Sequence, residues 1–238
     1  MIRSFPVGEV LAARGTPGLE DVPRAAGGAS GLEDVPQAAG EKPGGEDAAP
    51  RAREAVFRAC LEEARRRGIP LRLLQAGDRI SLEPGLTLEV LAPSPLPLVG
   101  TDDDVNNHSL ALRLAYGKLD LMLMGDTQSE EEEVLCRGLG AARFGQGLGD
   151  PGRITVLKTA HQGSKDSSSA PFLAAVRPRW ALISVGRHNR YGHPNGEVLG
   201  RFREAGARVM RTDRDGAITL SSDGSRVWVT ARSWHEVL

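Results

Sequence analysis

Three short apolar runs each carry the chain straight into a loop of polar residues, and that repetition narrows the folds open to it. Leu119–Met124 (LDLMLM) runs into Gly125–Asp126–Thr127. Val156 and Leu157 lead to His161 and a Gly163–Ser164 turn, and Trp180–Val185 (WALISV) leads to the stretch Gly186–Pro194, which holds His193. Runs this short, bounded by turn residues, read as buried strands. Between and after them lie an acidic helix start at Ser129–Glu133, a short helix over Pro171–Val176, and a helix over Asn195–Ala205 with Val198, Leu199 and Phe202 on one face. Val209–Thr212, Ala217–Leu220 and Val227–Ala231 follow as closing strands, with tight turns at Asp213–Gly216 and Ser222–Gly224. Strands that alternate with helices and then turn antiparallel predict an α/β layered sandwich.

Asp126, His161 and His193 therefore all stand just beyond strand ends. Carboxylate and neutral imidazole are the donors a divalent metal takes. Each residue alone also has a plain structural reading: Asp126 as a helix cap, His161 as part of a turn, His193 as part of a surface loop. The loop after His161 carries Ser164, Lys165, Ser167 and Ser168. Hydroxyls, backbone N–H groups and one ammonium suit a phosphate, and the same residues also make an ordinary polar turn. Asn189, Arg190 and Tyr191 precede His193, and the Tyr191 ring is available for stacking on a base.

Earlier in the chain, a helix over Ala52–Gly68 is expected, with Arg65–Arg67 at its dipole-negative end. Leu71–Ala76, Arg79–Leu82 and Leu86–Leu91 read as strands joined by glycine turns. A proline-rich loop, Pro93–Asp104, ends in Asp102–Asp104, better read as a solvated acidic loop than as a metal or general-base cluster. Asn106, Asn107 and Ser109 open the alternating strand Leu110–Leu114 and fix a loop or cap its turn.

The chain has 238 residues and a net charge of −1, which argues against a basic nucleic-acid grip spread over the whole surface but leaves room for a local one. Cys60 and Cys136 are too few for a disulfide framework or a cysteine-type zinc site. No apolar stretch reaches membrane-spanning length and no signal-peptide pattern occurs, so the chain by itself is expected to be soluble. Gly15–Arg51 is rich in Gly, Pro and Ala and repeats GLEDVPRAA as GLEDVPQAA. Two copies make no solenoid, and the composition buries no core, so a disordered insertion is expected.

NNHSLALRLAYG, LMLMGDTQSEEE, VLKTAHQGSKDSSS, RPRWALISVG, NRYGHPNGEVL and RTDRDGAI, in that order, resemble the C-terminal metallo-β-lactamase-like domain of the ComEC/Rec2 competence (DNA uptake) family. The resemblance runs from about Leu71 to the end of the sequence and more weakly over Phe5–Leu11. It implies an α/β, metallo-β-lactamase-type αββα sandwich. By it residues 1–14 are an N-terminal strand region, 15–51 the insertion and 52–238 the metallo-β-lactamase-like domain. It further implies metal-dependent phosphodiester hydrolysis of the non-imported DNA strand, with Asp126 and His161 catalytic. Asp126 (bridging), His161 and His193 would be the ligands of a divalent metal, zinc or manganese, two ions in a complete domain. Asn106, Asn107, Ser109, Ser164, Lys165, Ser167, Ser168, Asn189 and Tyr191 would then be substrate-facing or positioning residues. The implied partners are DNA, single-stranded or duplex, the transmembrane channel portion of the parent protein, and other DNA-uptake components. The implied location is the extracytoplasmic face of the cell membrane.

Two departures from the family pattern matter. The HxHxDH or HxDxDH motif, which supplies several metal ligands in the family, occurs nowhere in the sequence, and IRSFPVGEVL resembles the segment that follows it. The domain is thus expected to be N-terminally incomplete. Gln162 replaces the second histidine of the family's HHGS, and His161 is taken as the ligand. A catalytic zinc usually holds three protein ligands, and a two-metal site needs more. Weak metal binding and little activity are therefore expected of this chain, with a non-catalytic DNA-guiding or docking module as the alternative.

Overall fold

The computed structural model describes residues 10–13, 59–96, 98–140, 150, 152–231 and 234–237. The expected insertion at 15–51 and the first part of the helix at 52–68 lie outside the described residues. The chain divides into two compact units, residues 1–73 and 74–238. In the first, β1 (Val10–Ala13) pairs with β2 (Leu71–Leu74), and residues 59–66 are helical (α1). Ala12 and Leu61 are buried against Leu71 and Leu73. Arg66 and Arg67 both reach back to Glu63, at 2.7 Å each, so two of the three helix-end arginines are spent on a local carboxylate.

The second unit is built on a seven-stranded sheet in simple sequence order: β3 (Arg79–Glu83), β4 (Leu86–Ala92), β5 (Ala111–Tyr116), β6 (Leu119–Leu123), β7 (Ile154–Lys158), β8 (Trp180–Ile183) and β9 (Arg208–Arg211). From β3 to β6 the pairing is antiparallel, and from β6 to β9 it is parallel. Parallel neighbours need a crossover. These are α3 (Ser129–Gly140), α4 (Ala170–Val176) and α5 (Gly196–Glu204). Crossovers of one hand, taken in one direction along a sheet, stack on the same face. Leu135, Phe172, Leu173, Val176, Val198 and Phe202 from the three helices accordingly share one core with Met122, Leu157, Ala181 and Ile183.

The other face of the sheet offers Leu119, Val156, Trp180 and Met210, and these pack on Val227 and Val229. The latter belong to an antiparallel three-stranded sheet of β10 (Ile218–Ser222), β11 (Val227–Ala231) and β12 (Trp234–Val237). The layering is helix, sheet, sheet: an α/β architecture holding three of the four layers of an αββα sandwich among the described residues. Period-2 alternation explains the division, since Leu119 and Leu121 face the small sheet while Met122 faces the helices.

Three local features differ from the sequence reading. Residues Asp104–Asn107 form a one-turn helix (α2), because the Asp103 side chain accepts the N–H of Asn106 at 3.0 Å and caps it. The acidic triplet is therefore partly structural: Asp104 also takes the N–H groups of Gly100 and Thr101 at 3.0 and 2.7 Å, while Asp102 stays exposed. Thr212–Asp215 is a helical turn (α6) rather than a tight turn, with the Asp215 carboxylate accepting the N–H of Arg211 at 2.7 Å. Finally, the apolar run of β6 contains a fully buried Asp120. Its charge is met by Arg113 at 2.7 Å and by Arg153, and Arg113 also pairs with Glu89 at 3.2 Å.

Candidate functional site

Parallel strands end at the same rim, so the loops after β6, β7 and β8 emerge side by side. The first carries Asp126. Gly125, just before it, has φ +56, and a Cβ there would lie 2.9 Å from both the Leu110 carbonyl oxygen and the Ser109 Cβ. Only glycine permits that approach, and it seats Ser109 beside the Asp126 loop. The second loop is a single 3₁₀ turn, Ala160–Gly163. His161 (φ 42, ψ 44) and Gln162 (φ 53, ψ 22) are both left-handed in it, a costly backbone for residues with a Cβ. Hydrogen bonds hold the conformation: His161 donates its N–H to Gly125 at 3.0 Å, and Ser164 donates its N–H to the His161 carbonyl at 2.9 Å.

The third loop is locked from inside and from its neighbour. Asn189 clasps His193 by accepting its N–H at 2.9 Å and donating to its carbonyl at 2.7 Å. Asn195 donates its N–H to the Gly163 carbonyl at 2.9 Å. A Cβ on Gly163 would meet the Pro194 Cβ at 2.7 Å, so the two loops touch where only glycine fits. As a result the imidazoles of His161 and His193 face each other with centroids 5.6 Å apart at 63°. Tyr191 also stacks on His193, at 5.9 Å and 19°, with 82% of its surface exposed. Partial burial, aided by the nearby His161, pushes the His193 imidazole below its ordinary pKa, while Asp166 works the other way.

The structure gives the polar residues of these loops different tasks from those expected. Ser167 is wholly buried, and its hydroxyl donates to the carbonyls of Ala160 and Ser164 at 3.2 and 3.0 Å. Ser164 and Ser168 are buried as well, at 5% and 1% exposure. The Ser167 hydroxyl shapes the loop from within, the Ser168 hydroxyl is buried without a hydrogen-bond partner, and only Lys165 of the four expected phosphate-facing residues is exposed. Asn107 is buried and caps α3, accepting the Gln128 N–H at 3.0 Å, while the Asn106 amide donates to Asp103 at 2.7 Å. Asn106 and Asn107 hold loops in place beside the site.

The acidic start of α3 is the organiser that sequence reasoning passed over. The sequence marks it only as an acidic helix start, yet Glu130, Glu131 and Glu132 each grip a different segment. Glu130 reaches the amide of Asn107 at 3.4 Å, and Glu131 takes the N–H of Ser94 at 3.3 Å. Glu132 takes the N–H groups of Ser168 and Ser169 at 2.5 and 2.7 Å. On the outer side Arg201 of α5 donates to the carbonyls of Lys165 and Ser167 at 2.6 and 3.0 Å. The His161–Ser169 loop is thus clamped between a carboxylate and a guanidinium. Lys158, at the end of β7, is a further charged group near Asp126: burial lowers its ammonium pKa and the Asp126 charge opposes that fall.

Does this locus fit a metal? The His161 Nδ1 is buried without a hydrogen-bond partner, as an imidazole nitrogen awaiting a ligand would be. Against this, no three His, Cys, Asp or Glu side chains among the described residues gather closely enough to hold an ion. Asp126, His161 and His193 share a rim, and the two imidazoles face each other, but the three do not by themselves make a metal site.

No family model matches the chain. It is 33% identical over 159 residues to ComE operon protein 3 of Bacillus subtilis (strain 168), covering 66% of this chain and 18% of that protein. It is 36% identical to competence protein ComA of Neisseria gonorrhoeae over 56% of this chain and 18% of the relative. Recombination protein 2 of Haemophilus influenzae is 32% identical over 58% of this chain and 15% of the relative. The chain therefore matches less than a fifth of the length of these relatives. A solved structure from Parabacteroides distasonis ATCC 8503, named provisionally as a metal-dependent hydrolase, is 15% identical at a TM-score of 0.37. It covers 64% of this chain and 61% of its own, a likeness too loose to bear on the fold.

Proposed function

From the premise that this chain is a relative of the ComEC/Rec2 competence proteins, we propose that it is the nuclease-like part of a DNA-internalisation protein and handles DNA at the rim formed by the loops after β6, β7 and β8. The observation that carries the reading is the convergence of the motif-bearing loops. His161 is bonded through its N–H to Gly125, next to Asp126, and its ring faces His193 at 5.6 Å. Three motifs far apart in sequence thus form one locus, and two of its loops are held by hydrogen bonds and glycine contacts.

Hydrolysis of the non-imported strand would need metal ligands in addition to those gathered at this locus, because among the described residues no three donors come together. With those ligands a divalent metal, zinc or manganese, would supply charge stabilisation at phosphorus. This chain's own residues position the loops: Gly125 and Gly163 permit their approach, Asn189 fixes His193, and Glu132 with Arg201 fixes the segment after His161. The second reading, a DNA-guiding or docking module without catalysis, is favoured by the same lack of three gathered donors among the described residues. Among the described residues no helix is long and apolar enough to cross a membrane. The extracytoplasmic setting and the channel and DNA-uptake partners thus rest on the resemblance.

Elemental analysis of the purified chain beside an Asp126→Ala variant tests whether this locus is incomplete. Sub-stoichiometric zinc and manganese in both proteins, with no cleavage of labelled DNA, is the expected result. Near-stoichiometric metal that disappears in the variant would overturn the view that this locus is incomplete.

A further inference from the structure

We propose that Tyr191 is a stacking platform for an unpaired nucleobase, and that Arg190, its neighbour in the chain, and Lys165, in the loop after His161, take the flanking phosphates, making the rim a single-strand-selective binding site. The proposal rests on the DNA-handling reading above and sharpens it to one form of DNA. Among the described residues Tyr191 is the most exposed of the large apolar side chains, at 82%, and it stands next to the loop contacts just described. A solvated tyrosine on a floppy loop would mean little. This one is seated: its ring lies nearly parallel to His193 at 5.9 Å and 19°, and His193 in turn meets His161 edge-on at 5.6 Å.

The base under that stack is fixed by the Asn189 clasp on both the N–H and the carbonyl of His193. Three rings are therefore linked by two contacts, His161 to His193 and His193 to Tyr191, and Tyr191 keeps 82% of its surface exposed. An ordered aromatic face has already lost the freedom that binding would otherwise cost.

Charge selects what lies on that face. Arg187 and Arg190 lie in the segment 186–193, which holds no carboxylate; Lys165 lies in the loop after His161, where its neighbour Asp166 is the one carboxylate seen to act on His193. Arg190 and Lys165 are exposed. On a chain with net charge −1, two arginines within four residues of one another, with the exposed ring of Tyr191 directly after the second, make a local excess of positive charge beside that ring. The ligand that matches is flat and aromatic and carries anionic groups a few ångströms away, which describes a nucleotide in a strand. In a duplex the base faces are buried in the stack and only edges and phosphates are offered, so a platform of this kind engages single strands or frayed ends. It reads no sequence, since every base has a π-face.

Fluorescence anisotropy of labelled oligonucleotides tests this on the full chain. Four probes are compared at one salt concentration: a single-stranded homopolymer of thymine, one of adenine, a duplex, and an abasic single strand of the same charge. Tyr191→Ala should weaken binding to both homopolymers by roughly 5- to 150-fold, the range that base–aromatic stacking supports. Tyr191→Phe should keep most of the affinity, and neither change should alter binding to the abasic strand. Arg190→Ala should weaken the homopolymers and the abasic strand alike and flatten the salt dependence.

If the wild-type chain binds DNA and Tyr191→Ala leaves homopolymer affinity unchanged, or weakens abasic and duplex probes equally, the platform is refuted while the DNA-handling reading stands. Absence of binding to all four probes would refute both. Tyr191 is solvent-exposed, so loss through unfolding is not at issue, and matched melting temperatures for the variants check that directly.

Discussion

Glu131 shows how far a single residue can depart from what its letter suggests. In sequence it is one of four consecutive glutamates at the start of a helix, a run that normally lies in water. In the fold it is 1% exposed and accepts one hydrogen bond, from the Ser94 N–H at 3.3 Å. Burial pushes its carboxyl up to about 7 from an ordinary value of 4.5. The folded chain thus holds this proton more tightly than the unfolded chain, so the contribution of Glu131 to stability falls as pH rises from 4.5 toward 7. Glu131→Gln keeps an acceptor for Ser94 without the charge. It should remove that slope and stabilise the protein at pH 8 by up to about 3 kcal/mol. Urea titrations of both proteins at pH 5 and pH 8 measure it, and an equal stability difference at the two pH values would contradict the assignment. Asp120 makes the opposite point, since two arginines surround it and the strand buries it as an ion pair.

At the scale of elements, the first turn of α3 and the side of α5 act as two jaws on the His161–Ser169 loop. Glu132→Ala leaves the N–H groups of Ser168, buried, and Ser169, half-buried, without their acceptor, a loss of about 1–3 kcal/mol for the buried group and less for the other. The variant should melt at a lower temperature and become sensitive to proteolysis between Gln162 and Ser169; a limited digest that matches wild type would count against the clamp. The same element explains what the sequence left illegible. The strands at Leu119–Leu123 and Trp180–Ile183 were readable because their apolar runs are dense, and α5 because Val198 and Phe202 repeat at helical spacing. The serines at 164, 167 and 168 were not, because a Ser- and Lys-rich loop looks solvent-facing. Their burial is imposed by Glu132 and Arg201, more than thirty residues away on either side. A helix carboxylate that binds a distant loop leaves no local signature, and neither does an asparagine such as Asn107 that caps a helix 21 residues later.

For the molecule as a whole, the sequential strand order puts the helices on one face and the small sheet on the other, and sends three loops to one rim. The expected α/β sandwich was legible from alternation alone, and the order of the apolar runs placed Asp126, His161 and His193 at one end of it. Which side chains close on one another was not legible, because it depends on the backbone of Gly125, His161 and Gly163. One consequence of the α3 turn concerns the native-state fluctuations of this unit. A single turn of helix supplies Glu130, Glu131 and Glu132, and through them ties together the segments around Ser94, Asn107 and Ser168. These segments should open as one foldon instead of as separate loops. Hydrogen–deuterium exchange would then give the amides of Ser94, Gln128, Ser168 and Ser169 a common opening free energy, and Glu132→Ala would lower all four together. Exchange that speeds up only at Ser168 and Ser169 would mean that the segments breathe independently.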